Sequence, residues 1–318
     1  MRRLAFLTCI VFLAFSAPAS GADLNPLNAV VEIRSGVPAD ARTADTLGTE
    51  RAGGGILIDG GGLILTIGYL IMEADEVWVM DADSNRVPAE TVGYDHETGF
   101  GLIRALGPLT ATPAPLGSFR DLEVGDTLLA AGPDSARPTV LIGVRPFAGG
   151  WEYLLEDALY TSPPIPDFGG AALFAKDGRL VGVGSLILRD IGGGLPGNLY
   201  VPVDLLPPIL GDLLAFGQAT SPAQPWIGLY PNEVDGALVV GRVAPGGPAQ
   251  TAGIGPGDVI LGVGDEPVGD IEQLWRKLRA LGPAGVAVPL KVLGGNGVRD
   301  VLLTSRDRRG WLKLERSY

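Results

Sequence analysis

A mainly β protein built from two domains is what this sequence predicts, on three observations. The chain holds 48 glycines and 26 prolines in 318 residues, enough turn formers to punctuate many short strands. Apolar residues make up 46% and charged residues 19%, the balance of a chain that folds around a core rather than staying disordered. A length of 318 residues exceeds one ordinary core and suits two, at roughly 100 to 200 residues per domain. The formal net charge of -12 disfavours anionic partners, so nucleic acid is not expected as a ligand.

Residues 1–22 read as a secretory signal peptide: Met1-Arg2-Arg3, an apolar run from Leu4 to Phe15, then small residues closing at Ala19 or Ala22. The run is shorter than the roughly 20 residues that cross a bilayer. Cleavage is therefore expected, with no stable membrane span afterwards and a periplasmic or secreted mature chain. Cys9, the single cysteine, lies inside this run, so the exported chain has no thiol for a disulfide, a metal or covalent catalysis.

Further along, Ala29 to Arg34 reads as a strand and Ser35 to Ala52 as a polar surface loop. Ile56 to Ile58 and Leu63 to Thr66 flank Asp59-Gly60-Gly61-Gly62, a hairpin signal. Glu76 to Met80 and Val87 to Gly93 pair across Asp81-Ala82-Asp83-Ser84-Asn85. That D-x-D-x-N string has calcium-loop spacing, but Arg86 stands where the loop needs glycine and Val92 where it needs glutamate. No metal and no cofactor is assigned. Asp204 to Phe216 carries leucines at helical spacing, with Asp204 as N-cap and Gly217 as the stop. Gln218 to Gln224 is a linker by composition. Asp270 caps a helix over Ile271 to Leu281, whose apolar stripe is Ile271, Leu274, Trp275 and Leu278.

Several stretches together resemble the HtrA (DegP-like) family of periplasmic trypsin-like proteases. They are GGGILIDGGGLILTIGYLI from Gly53 to Ile71, YDHETGFGLI from Tyr94 to Ile103, APLGSFRDLEVGDTLLAAG from Ala114 to Gly132, PDFGGAALFAKDGRLVG from Pro166 to Gly182, and GGPAQTAGIGPGDVILGVGDEPV from Gly246 to Val268. The resemblance implies a trypsin-like double six-stranded β-barrel over residues 23–217, a linker at 218–224, a PDZ domain over 225–308 and a C-terminal tail at 309–318. It also implies a homo-oligomer, a trimer in many members.

The same resemblance implies where cutting residues would stand. The nucleophile of the family's G-N-S-G-G-P-L turn falls at Gly169, its histidine at Tyr69 and its orienting aspartate at Gly99. A serine triad needs a hydroxyl, an imidazole to take its proton and a carboxylate to orient that imidazole, and these three positions supply none of them. His96, the only histidine, reads as an exposed turn residue, and nothing brings Ser162 and Lys176 together. No catalytic residue is therefore expected. The PDZ likeness places a carboxylate-binding loop at Trp226, Ile227, Gly228 and Leu229, with Ile271, Leu274, Trp275 and Leu278 lining the side-chain pocket. The expected function is an exported, non-cutting HtrA-like protein that binds peptide C-termini or unfolded segments. An endopeptidase using unrecognised residues and a non-enzymatic assembly scaffold are the alternatives.

Overall fold

Short strands with one apolar face must bury it against something, and in the computed structural model they do so by closing on themselves. The structure describes residues 25–314, so the expected signal peptide and Cys9 lie outside the described residues. Strands Val30–Gly36 (β1), Glu50–Leu57 (β2), Leu63–Ile67 (β3), Glu76–Met80 (β4), Arg86–Tyr94 (β5) and Phe100–Ala105 (β6) form a closed barrel in the order β1-β2-β3-β6-β5-β4. Strands Thr127–Ala131 (β7), Ala136–Gly149 (β8), Tyr153–Ser162 (β9), Ala172–Phe174 (β10), Leu180–Leu188 (β11) and Gly197–Pro202 (β12) close a second, ordered β10-β11-β12-β9-β8-β7. Ile33, Ile56, Ile64 and Leu102 are fully buried in the first barrel, and Leu141, Phe174 and Tyr200 in the second.

The barrels meet backbone to backbone. Gly54 N donates to Gly169 O at 2.7 Å, and Thr66 Oγ1 donates to Gly54 O at 2.7 Å. Contact this close requires residues without side chains on both sides, which is why glycine pairs occur at 53–54 and 169–170.

Two local expectations are corrected. The stretch from Ser35 to Ala52 is not a solvated loop: β1 and β2 extend into it, and around the short helix Ala44–Leu47 (α1) the side chains of Val37, Ala41 and Ala44 form a small apolar cluster. Its polar residues are spent internally. Arg51 donates to Tyr69 O, Met72 O and Thr43 Oγ1 at 2.8, 2.9 and 2.8 Å, while the buried Glu73 accepts from Arg42 N, Thr43 N and Thr43 Oγ1 at 3.0, 2.8 and 2.7 Å. A polar composition marks a loop as solvated only when its polar groups lack partners in the fold. Second, Asp204 does not cap the interdomain helix. That helix, Pro207–Phe216 (α2), starts at the proline pair, whose missing N–H groups cost nothing in a first turn. Asp204 instead accepts from Ser118 Oγ at 2.5 Å and Phe119 N at 3.0 Å. Gly217 does end the helix, at φ 68.

The Asp81 carboxylate is used within its own hairpin and its neighbour, accepting from Asp83 N, Asn85 N and Thr110 N at 3.1, 3.0 and 3.1 Å. The final sheet joins Leu229–Val234 (β13), Ala237–Val243 (β14), Val259–Val263 (β15), Glu266–Pro267 (β16), Ala287–Gly294 (β17) and Gly297–Thr304 (β18), in the order β13-β14-β15-β17-β18 with β16 beside β15. Helices Pro248–Thr251 (α3) and Ile271–Ala280 (α4) complete it. Asp270 caps α4 by accepting from Gln273 N at 2.7 Å. The segment after β18 returns to the first barrel: Trp311 packs on Trp226 at 5.2 Å between ring centroids, and Lys313 N donates to Glu73 Oε1 at 2.8 Å. Among the described residues, no helix is long and apolar enough to cross a membrane.

Candidate functional site

Tyr69, Gly99 and Gly169, widely spaced along the chain, converge on one cleft between the barrels. The short 3-10 turn Gly68–Leu70 after β3 presents Tyr69, and the Arg51 bond to Tyr69 O fixes that turn. The phenol donates across the cleft to Ser185 O at 3.0 Å. A Cβ built on Gly169 would stand 2.6 Å from Tyr69 Oη, so the phenol already fills the space that a side chain at 169 would need. Gly99 sits at φ 81, and a Cβ there would lie 3.3 Å from Tyr153 Oη, which itself donates to Thr98 O at 2.8 Å. Burial pushes the Tyr69 phenol above its ordinary value, so it remains a neutral hydrogen-bond donor at physiological pH.

His96 departs from expectation: it is half-buried at the junction of the barrels with the final sheet, not an exposed turn residue. Tyr94 Oη lies 2.9 Å from its Nδ1, and Arg308 Nη1 lies 2.6 and 2.8 Å from its two ring nitrogens. Burial, with Arg308 and Arg279 nearby, holds the imidazole well below its usual value, so it is neutral. Ser162 and Lys176 are not joined: the Ser162 hydroxyl donates to Pro196 O at 2.8 Å, and Lys176 is exposed.

The expected carboxylate loop does hold a carboxylate, and it comes from the protein itself. Ile227 N donates to Glu152 Oε2 at 2.9 Å, while Gly228 N and Leu229 N donate to Glu152 Oε1 at 2.6 and 2.8 Å. Gly228, at φ 75 and with Ala244 Cβ only 2.9 Å from where its own Cβ would be, lets the amides turn toward one point. Glu152 lies in the β8–β9 turn, which crosses α4. Trp275 Nε1 donates to Gly149 O at 2.8 Å, and Leu154 is buried in the same apolar core as Ile227, Leu229, Leu274 and Leu278. Of the residues expected to line the groove, Leu274, Trp275 and Leu278 are almost wholly buried, Ile271 is half-buried, and the Trp226 ring turns away to Trp311.

A cavity of about 930 Å³ joins the cleft to this groove, lined by Tyr69, Gly99 and Phe168 on one side and by Tyr230, Pro231 and Ile271 on the other. Trp151 of the β8–β9 turn and Tyr153 at the start of β9 line it as well. Sequence reasoning missed Glu152, Tyr153 and Ser185. The single local hint was a glutamate directly after Gly149-Gly150-Trp151, a turn able to present it.

The junction is pH-sensitive by construction. Burial raises Glu152 to about 7 against the three amides that favour its charge, and raises Glu97 to about 7 although Arg279 Nη2 sits 2.9 Å from it. Both docked values exceed the ordinary 4.5, so their contribution to docking is complete below 4.5 and is lost as pH rises through about 7. His96 has the opposite sign: its value is depressed, so its share is present above 6.5 and lost as pH falls. The charged groups facing this junction include Arg279, Arg308 and Asp95. The amide resonances of Ile227 to Leu229 should therefore move toward a released form as pH rises from about 4.5 to 7 and level off above that, by up to roughly tenfold in population per unit and per carboxylate. In Glu152→Gln the contribution of Glu152 to that slope should vanish, and an unchanged slope would rule this account out.

Residues 53–183 match the model of a trypsin-like peptidase domain and residues 239–293 that of a PDZ domain. The serine protease HhoA of Synechocystis sp. is 31% identical over 77% of this chain and 68% of its own length. The serine protease PepD of Mycobacterium tuberculosis is 30% identical over 92% of this chain and 69% of its own. A DegP-like periplasmic serine endoprotease of Pseudomonas fluorescens is 29% identical over 80% of this chain, which spans only 56% of that relative's length. Among solved structures, the HtrA-type protease AlgW with decapeptide aligns at a TM-score of 0.52 and 20% identity, covering 91% of this chain and 97% of that one.

Proposed function

Because the chain belongs to the HtrA-like family, serine protease homologues that join a trypsin-like domain to a PDZ domain, we propose that it is an exported member that binds polypeptide without cutting it. The observation that carries this reading is the amide cradle of Ile227, Gly228 and Leu229, aimed at a single carboxylate. A peptide C-terminus offers the same two-oxygen anion, and its backbone would extend along β13 while α4 bounds the other side. Charge-assisted bonds of this kind are roughly twice as strong as neutral ones, so a free C-terminus is favoured over a blocked one. The absence of cutting is supported by the cleft: glycine at 169 and 99 provides no nucleophile or orienting acid, and the Tyr69 phenol is committed to Ser185 O.

Two measurements on residues 23–318 test the reading. A fluorophosphonate probe should leave the protein unlabelled, whereas stoichiometric labelling of a serine would favour an endopeptidase. With Glu152 replaced by glycine, so that the cradle amides are free, fluorescein-labelled decapeptides of random sequence, supplied in excess over the protein, should bind when the C-terminus is free and bind at least tenfold less when it is amidated. Equal binding of both forms would remove the carboxylate cradle from the function.

A further inference from the structure

Resting on the peptide-binding reading, we propose that Glu152 is a built-in competitor for the peptide carboxylate, so that the PDZ groove stays closed until the β8–β9 turn swings out. Any surface acid can find one amide by chance. Three consecutive amides within 2.9 Å of one carboxylate form a shaped receptor, and Glu152 fills it as an external carboxylate would. The turn is fixed at several further points. Trp275 Nε1 bonds Gly149 O, Arg279 Nη1 donates to Leu154 O at 3.2 Å, and Arg276 grips Glu156 through both oxygens at 2.8 and 2.7 Å. These anchors all come from α4, the helix that a bound peptide would have to lie against.

The backbone gives a second, independent sign. Glu152 has φ 61, a conformation in which a residue with a long side chain is strained and glycine is at ease. At such a φ a turn needed only to connect β8 with β9 would be better served by glycine. The glutamate at this position is matched instead to the cradle it reaches, 75 residues further along the chain. Being tethered, it competes at an effective concentration on the order of millimolar, so a weak external peptide is excluded. The groove therefore opens to ligands that make additional contacts, or when the turn is displaced.

The test compares wild type, Glu152→Gly and Glu152→Gln in residues 23–318. Glycine removes the carboxylate while relieving the backbone, so loss of folding is not the expected result, and glutamine keeps the shape without the charge. Without any ligand, amide hydrogen exchange at Ile227, Gly228 and Leu229 should be at least tenfold faster in Glu152→Gly, with Glu152→Gln between. The random decapeptide pool with free C-termini should bind Glu152→Gly at least tenfold more tightly than wild type. Unchanged exchange at the three amides, or measurable peptide binding of equal affinity in wild type and Glu152→Gly, overturns the competitor role. If exchange rises and no variant binds peptide, the latch stands and the peptide-binding reading falls.

Discussion

Changing Gly169 to serine is expected to leave casein uncut. The substitution adds a hydroxyl at the position where the resemblance puts the family's nucleophile, yet it adds no group to take the proton. The Tyr69 phenol lies above its ordinary pKa, and residue 99 has no side chain. The new Cβ would also press on Tyr69 Oη at 2.6 Å, so the serine competes for space with the one side chain near enough to assist it. Loss of triad members is not additive, and an enzyme lacking the base alone already runs roughly 10^6-fold below the intact triad. Release of fluorescein from labelled casein by Gly169→Ser should match wild type and buffer. Cleavage that a serine-directed inhibitor stops would show that a working base exists and that the cleft has been misread.

The neighbouring glycine should respond in an entirely different way. Gly170→Ala is expected to destabilise the two-barrel unit by about 3 kcal/mol, from a left-handed backbone that alanine tolerates poorly and from overpacking of about 1 to 3 kcal/mol. Gly170 has φ 73, and a Cβ there would fall onto Gly54 O and within 2.7 Å of Thr66 Oγ1. Neither neighbour can give way easily, since Thr66 Oγ1 donates to Gly54 O and Gly54 N is bonded to Gly169 O, both at 2.7 Å. At roughly 2 to 4 °C per kcal/mol for a unit of this size, the melting temperature should fall by about 6 to 12 °C. Gly60→Ala is the control: no atom lies within 4 Å of a Cβ there, so its effect should stay within about 0.5 kcal/mol. Equal melting temperatures for the two variants would mean that the inter-barrel seam is slack.

The fold was legible because most of its instructions are local. Glycine turns between short apolar runs set the hairpins, Asp270 announced the start of α4, and Gly217 announced the end of α2. The misreadings have a common cause. Ser35 to Ala52 carries a polar composition, Asp204 has capping chemistry, and His96 sits in a turn, so local rules assign all three to solvent or to a nearby backbone. Each is instead satisfied by a distant partner: Glu73 for Arg42 and Thr43, Ser118 and Phe119 for Asp204, Arg308 for His96.

By itself the sequence determined the β-rich class, the family likeness and the residue types at positions 69, 99 and 169, because those follow from residue identity and short spacing. Only the tertiary structure decided that Tyr69 reaches Ser185 O across the cleft and that Glu152, one of 36 acidic residues, lies in the amide cradle. The physical reason is range. A turn or cap is set by atoms a few residues apart, whereas these bonds span 116 and 75 residues and exist only after barrel closure fixes both partners in space.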